Sequence, residues 1–130
     1  MDFTKHKPFS GFSVDDIEAA KTFYGETLGF DVDEHGELLW IKTHGDDGVL
    51  AYLKADGHEP ANYTILNLPV DDVDEVVDEL TSRGVRFEHY TGDLATDEKG
   101  IMRDNGPLIA WFKDPAGNII SIVEAGPLPD

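Results

Sequence analysis

The chain has 130 residues, 40% of them hydrophobic and none of them cysteine, which suits one domain with a buried core and excludes disulfides, thiolate nucleophiles and cysteine-ligated metals. Its 27 acidic residues against 10 lysines and arginines give a net charge of −17, so we expect no nucleic-acid or membrane partner. Since it has no signal-peptide pattern and no apolar stretch of about 18 residues, the expected location is cytoplasmic.

The first half of the chain predicts a strand, a helix and three further strands. The apolar run 9–14 is typical of a short strand, and Asp15 with Glu18 fits a capping box at the start of a helix. Apolar residues then recur at helical spacing as far as Leu28, and Gly29 suits the left-handed residue that ends a helix. The three strands are predicted over residues 30–32, 38–43 and 49–54.

The second half repeats this order. A strand over residues 63–68 precedes a second capping box, Asp72 with Glu75, and Gly84 ends the second helix. Asp114 opens the sequence Asp-Pro-Ala-Gly, which predicts a type I turn. Strands are predicted over residues 85–89, 108–113 and 119–124, and a turn signal at 104–106 suggests that residues 101–103 pair with the strand after that turn.

Two segments make this repeat specific. The segment FSVDDIEAAKTFYGETLGF, residues 12–30, and the segment WFKDPAGNIISIVE, residues 111–124, resemble the opening and closing signatures of the vicinal-oxygen-chelate (VOC) superfamily. Its members include glyoxalases, bleomycin-resistance proteins and extradiol dioxygenases. The resemblance implies an α+β fold in a single domain, residues 1–130, with tandem βαβββ modules at about 8–60 and 61–125. These modules would form two curved mixed sheets around a central cavity, with the helices outside, and the family implies a homodimer.

The metal enzymes of this family hold a divalent ion through His, Glu or Gln. The resemblance places three of the ligand positions at Phe9, Ile65 and Ser121, and the fourth within residues 50–53. None of these residues offers a carboxylate or an imidazole, so we expect no cofactor; a divalent metal would need non-standard ligands. The five histidines lack metal-binding spacing and are expected at the surface.

Strand alternation predicts which residues line the cavity. Trp40, Tyr52 and Trp111 are aromatic additions to this set, but alternation leaves open whether their side chains point into the cavity. The predicted ligand-binding residues are Phe9, Tyr52, Tyr63, Ile65, Asn67, Trp111 and Ser121. The alternative is that these aromatic residues belong to an ordinary core or sheet surface. The polar segment 91–106 is either a lid, with Met102 and Arg103 reaching a ligand, or an exposed loop. No residue can be assigned a catalytic role.

Three functions from different classes are compatible with this sequence. The first is a glyoxalase/bleomycin-resistance-like protein that has lost the usual metal ligands and binds a small molecule in its cavity. The second is an enzyme, either a lactoylglutathione-lyase-like lyase or an extradiol-dioxygenase-like enzyme, with a non-standard metal site. The third is a structural or partner-binding module whose cavity has closed. The fold alone does not decide among them.

The acidic composition yields a prediction about salt, because most of the 27 acids cannot pair with one of only 10 cations. Folding compacts these charges, and raising the ionic strength from about 0.01 M to about 1 M shortens the Debye length from about 30 Å to about 3 Å. The melting temperature at pH 7 should therefore rise steeply across a KCl series, mostly below about 1 M. The acidity is typical either of a highly soluble mesophile protein or of adaptation to a saline cytoplasm, and a flat series would contradict the second interpretation.

Overall fold

The computed structural model describes residues 1–104 and 106–125; Asn105, in the predicted turn at 104–106, lies outside them. The chain forms two compact units, Met1–Glu59 and Pro60–Asp130. Each unit contains one four-stranded mixed sheet, which confirms the α+β class and the tandem modules. Within the described residues, no helix combines the length and the apolar character needed to cross a membrane.

The first unit has the strand order β1-β4-β3-β2. Strand β1 runs parallel to β4, and the other neighbours are antiparallel. A short 3-10 turn, Phe3–Lys5, precedes the sheet. The remaining elements are β1 (Ser10–Val14), α1 (Ile17–Lys21) with a π-helical continuation (Thr22–Thr27), β2 (Asp31–His35), β3 (Leu38–Lys42) and β4 (Gly48–Leu53). These bounds lie close to the predicted strands because the apolar runs mark the sheet interior.

The first helix begins one residue later than its capping box predicted. The carboxylate of Asp16, not that of Asp15, accepts a hydrogen bond from the Ala19 backbone N–H at 3.1 Å. An aspartate at either position can cap a helix. The cap is Asp16 because the helix begins at the next residue, Ile17, whose side chain is buried. Gly29 has a φ of 85°, as predicted for the residue that ends the helix.

The core of the first unit lies between α1 and one face of the sheet. Alternate residues of the strands point to this face, so that the fully buried Leu39, Ile41 and Ala51 lie on β3 and β4. The ring of Tyr24, also fully buried, packs 5.8 Å from that of Phe12. The sheet thus has one face sealed by the helix, which leaves the other available.

The second unit has the equivalent order β5-β8-β7-β6, again with the first pair parallel. Its elements are β5 (Thr64–Val70), α2 (Val73–Ser82), a 3-10 turn (Gly92–Leu94), β6 (Ile101–Met102), β7 (Ile109–Lys113) and β8 (Ile119–Glu124). The prediction of a strand over residues 85–89 was wrong. Only Phe87 makes an isolated bridge, to Phe112, and the edge strand is instead β6, in the stretch that the turn signal at 104–106 marked.

Three local signals of the second unit are confirmed. The Asp72 carboxylate accepts from the Glu75 backbone N–H at 3.1 Å, and Gly84 has a φ of 93°. In the predicted turn, the Gly117 N–H donates to the Asp114 carbonyl at 3.0 Å. The buried Asp114 carboxylate also accepts from the Asn118 N–H at 2.8 Å, so this acid holds the entry to β8 in place.

An ion-pair network ties the segments on either side of β6 to helix α2. The Arg103 guanidinium donates to both Asp74 carboxylate oxygens, at 2.6 and 3.2 Å, and to Asp97 at 2.7 Å. Lys99 lies 3.1 Å from Asp74 and 3.0 Å from Asp78. Hydrogen bonding from Arg103, and then from Lys99, lowers the pKa of Asp74 from 3.8 to about 2.

This network predicts a pH-dependent stability. Because the pKa of Asp74 is depressed in the folded state, its stabilisation is complete above the unfolded value of 3.8 and is lost as the pH falls through about 2. With its side chain 41% exposed, we expect Asp74→Asn to lower the free energy of unfolding at pH 7 by about 1 kcal/mol, after allowance for solvent screening. Urea unfolding at fixed ionic strength between pH 7 and pH 2 measures this difference, which should shrink below about pH 4.

The matched control is Asp56→Asn, which removes the same charge from an exposed turn of the first unit. It should leave stability unchanged or raise it slightly, because it reduces repulsion without removing an ion pair. If the two variants lost equal stability at pH 7, the network would contribute nothing beyond net charge.

Candidate functional site

Three predicted site residues form a row across the second sheet, on the face opposite α2. Asn67 on β5 lies in register with Ser121 on β8, and Ser121 lies in register with Trp111 on β7. The Ser121 hydroxyl donates to the Asn67 side-chain oxygen at 2.5 Å. Ser121 is fully buried and Trp111 is 8% exposed, whereas Asn67 is exposed. The row therefore runs from an accessible amide to a buried indole.

A tyrosine that sequence analysis did not single out extends this row. The Tyr90 ring packs edge-on to Trp111 with centroids 5.4 Å apart. Burial, followed by the charge of Glu88, raises the pKa of the Tyr90 phenol. The Glu88 N–H donates to the Trp111 carbonyl at 2.8 Å, so residues 87–90 run alongside β7 without forming a regular strand. The one sequence signal that could have pointed to Tyr90 is the apolar run at 85–89, which directly precedes it and was predicted to be a strand.

Tyr63 and Ile65 do not join the row as alternation predicted. The register of β5 against β8 shifts between Thr64 and Leu66, where one extra residue forms a β-bulge. Thr64, not Ile65, is consequently the register partner of Ile119. Ile65 is half-buried and Tyr63 is 67% exposed, just ahead of the strand.

The first unit carries an equivalent tryptophan. Gly11 on β1, Leu50 on β4 and Trp40 on β3 are in register across the sheet, as Asn67, Ser121 and Trp111 are in the second unit. Phe9, 61% exposed just before β1, packs edge-on to Trp40 with ring centroids 5.5 Å apart. Both residues line a groove of about 470 Å³.

Tyr52 lies on the same sheet face, beside a pair that sequence analysis missed. It is 41% exposed and in register with Ser13 on β1. The Ser13 hydroxyl lies 2.7 Å from Nδ1 of His58, which reaches back from the segment after β4. His58 is half-buried, so the expectation that its side chain is exposed was wrong. The sequence gives no local pattern for this pair, because 45 residues separate His58 from Ser13. The other histidines are exposed: His6, His35, His44 and His89.

The residues at the family's metal-ligand positions do not fit a divalent ion. Phe9 and Ile65 have no donor atom, and the Ser121 hydroxyl is already hydrogen-bonded to Asn67. Neutral hydroxyl and amide oxygens are weak ligands compared with imidazole and carboxylate. Within residues 1–104 and 106–125, no three His, Asp or Glu side chains are grouped so that they could hold a metal ion.

The segment predicted as either lid or loop is anchored at both ends of its described part. Thr96 closes its first turn, since its N–H donates to the Tyr90 carbonyl at 3.1 Å and its hydroxyl accepts from the Tyr90 N–H at 2.9 Å. Arg103, proposed to reach a ligand, is held by Asp74 and Asp97. Met102 is 6% exposed within β6.

A family model and several solved structures each match most of this chain. A family model described as "Glyoxalase/Bleomycin resistance protein/Dioxygenase superfamily" matches residues 9–122. A solved structure of TnmS3, an antibiotic binding protein from Streptomyces sp. CB03234, is 26% identical, covers 94% of this chain and 98% of its own, and has a TM-score of 0.66. No curated protein matches the chain.

Two further solved structures agree with this result. A glyoxalase/bleomycin resistance protein from Streptomyces sp. CB03234 is 29% identical, covers 90% of this chain and 100% of its own, and has a TM-score of 0.60. A member of the same superfamily from Sphaerobacter thermophilus DSM 20745 is 28% identical, covers 92% and 98%, and has a TM-score of 0.66.

The hydrogen bond between Ser121 and Asn67 predicts an unequal pair of mutational effects. Asn67→Ala leaves a fully buried hydroxyl without this acceptor and should lower the free energy of unfolding by about 1–3 kcal/mol. Ser121→Ala leaves only an exposed amide, which water can satisfy, and should cost about 0.5–1.5 kcal/mol. Denaturant unfolding of both variants and of the double variant measures the coupling.

In the double variant, Ser121→Ala should recover part of the loss caused by Asn67→Ala, because the stranded hydroxyl is gone. Strictly additive losses would mean that the two side chains do not depend on each other, and would contradict the pairing.

Proposed function

Because the chain belongs to the Glyoxalase/Bleomycin resistance protein/Dioxygenase superfamily, we propose that it binds a small, partly aromatic organic molecule without the help of a metal ion. The observation that carries this proposal is the chemistry at one ligand position. Ser121, where a metal enzyme of the family would present a charged or imidazole ligand, is buried, bonded to Asn67 and in register with Trp111.

The two sheet faces have the composition of small-molecule sites, which combine apolar and aromatic surface with a few polar groups that fix orientation. In the second unit, the exposed Asn67 amide has donor atoms to offer, and the row continues through Ser121 to Trp111, against which the half-buried Tyr90 ring packs. In the first unit, Trp40 and Phe9 do so in a groove of about 470 Å³, a volume in the range of ligand pockets.

The comparisons support the same ligand class. TnmS3, whose structure covers 94% of this chain, is described as an antibiotic binding protein. Antibiotics of many kinds present rings and polar groups together, which such a surface can recognise. No observation favours the alternative of a glyoxalase-type lyase or dioxygenase with a non-standard metal site. The homodimer is likewise a proposal from the family.

The experiment uses the two tryptophans as separate reporters. The chain has only Trp40 and Trp111, one in each unit, so Trp40→Phe and Trp111→Phe each leave a single tryptophan, whose emission can be excited selectively over that of the tyrosines. We expect members of a panel of aromatic small molecules, antibiotics included, to change the emission of at least one variant saturably. The same compounds should raise the melting temperature, since a ligand at about 100 times its Kd stabilises the fold by about 2.7 kcal/mol.

Two controls decide between the proposed functions. Binding should be unchanged in the presence of EDTA, because no metal takes part; binding that is lost with EDTA and restored by a divalent ion would favour the enzyme alternative instead. A panel that alters neither the emission nor the melting temperature would contradict the binding proposal. Light scattering on the same samples gives the oligomeric state.

A further inference from the structure

We infer that the groove beside Trp40 receives the positively charged end of an organic cation, such as a substituted ammonium group attached to an aromatic or aliphatic body. The inference rests on the proposed function and names the chemical class of ligand for the first unit. Its basis is the coincidence, in one groove, of an aromatic wall and a net negative rim.

The aromatic wall consists of Phe9 and Trp40. Their rings meet edge-on, with an interplanar angle of 87° and centroids 5.5 Å apart, and Trp40 is half-buried. The electron-rich face of an indole attracts a cation within about 6 Å of the ring centre, and tryptophan does so more strongly than the other aromatic residues. A groove with this wall therefore favours a positive charge over a negative one.

Gly48 explains why the Trp40 indole adopts this position. A Cβ atom on Gly48, the first residue of β4, would overlap the ring carbons of Trp40 and would also lie 2.8 Å from the Ile41 carbonyl oxygen. The indole thus lies directly over the glycine backbone. Any larger residue at position 48 would displace the ring, so Gly48 is a positioning residue for the aromatic wall.

The rim of the groove is acidic. Asp46 and Asp47, in the connection between β3 and β4, both line it, together with Lys7 from the segment before β1. Lys7 Nζ lies 3.1 Å from an Asp47 carboxylate oxygen, an exposed ion pair that neutralises one of the two acids. Among the described residues that line the groove, Asp46 is left to balance the charge of a ligand.

The charge of the whole chain acts in the same direction. A net charge of −17 raises the local concentration of cations and lowers that of anions around every part of the surface. An anionic ligand would have to enter against this field and against Asp46, with Lys7 already engaged. The groove consequently favours a cation over an anion or a neutral compound of the same shape.

The test compares benzyltrimethylammonium with benzyl alcohol and benzoate, three probes that share a ring and differ in charge. Titrations of the Trp111→Phe variant at constant ionic strength, monitored by the indole N–H resonance of Trp40, report binding at the groove. We expect saturable shifts with the ammonium probe, binding several-fold weaker with benzyl alcohol, and no shifts with benzoate.

Three substitutions at surface positions separate the groove from the overall field. Asp46→Asn should weaken the affinity for the ammonium probe by about two- to fivefold, the range of an exposed charge pair. Lys7→Met, which releases Asp47, should strengthen it by a similar factor. Asp56→Asn, with the same change of net charge outside the groove, should leave it unchanged.

Equal affinity for the three probes, or equal effects of Asp46→Asn and Asp56→Asn, would overturn the inference. If the ammonium probe fails while a neutral or anionic compound from the panel binds near either tryptophan, the cation site is wrong and the small-molecule function stands. If no compound of any charge binds, both proposals fall together.

Discussion

In the described part of each unit, a four-stranded sheet has two faces, and a single α-helix packs on one of them. The positions of the core and of the candidate sites follow from this constraint. Because side chains alternate along a strand, the helix can seal only every second residue. In the first unit it seals Phe12, Leu39 and Ile41, which are at most 8% exposed. The opposite faces carry the tryptophans, tyrosines and hydrogen-bonding groups. On the first sheet this face is accessible at Tyr52, whereas in the row across the second sheet Ser121 and Trp111 are buried and Asn67 is exposed.

The internal repeat makes the two faces similar in their aromatic residue and different in their polar ones. Trp40 and Trp111 occupy matching register positions, each with a second ring packed edge-on against it. Beside Trp111 the matching positions hold Asn67 and Ser121, which are joined by a hydrogen bond. Beside Trp40 they hold Gly11 and Leu50, and the nearest charged groups lie on the rim of the groove. The first face also carries Tyr52 and the Ser13–His58 pair, so it combines neutral polar groups with a charged rim, whereas the polar groups in the Trp111 row are neutral.

The parts of the structure that could be predicted from sequence are those with local causes. The cap formed by Asp72, the turn at Asp114 and the glycine after each helix depend on residues a few positions apart. The errors have non-local causes. The run 85–89 has the composition of a strand, but β6 pairs with Ile109 and Ala110 at one end of β7, and the run makes a single bridge, from Phe87 to Phe112. A one-residue bulge removed Ile65 from its predicted register, and strict alternation cannot anticipate a bulge.

The same limit applies to the candidate sites. Asn67 and Ser121 could be grouped in advance by alternation, whereas the facing of Trp111 was open until the register of β7 against β8 placed it in the same row. The pairing of Ser13 with His58, and of Lys7 with Asp47, depends on how connecting segments fold back onto the sheet, and no periodicity encodes that path. These segments are exposed, so few contacts constrain their sequences.

The negative charge of this protein has opposite effects on folding and on binding of the proposed ligand: it destabilises the compact chain and attracts a cation. The acids that repel one another in the compact chain are the source of the field that attracts a cation to the groove. Added salt screens both interactions, since the Debye length falls to about 8 Å at physiological ionic strength and to about 3 Å at about 1 M. Salt that stabilises the fold thus weakens long-range attraction of the ligand, and leaves the short-range contacts with Trp40 and Asp46. In a saline environment only those contacts would discriminate, so selectivity would depend on the shape of the groove more than on the net charge of the chain.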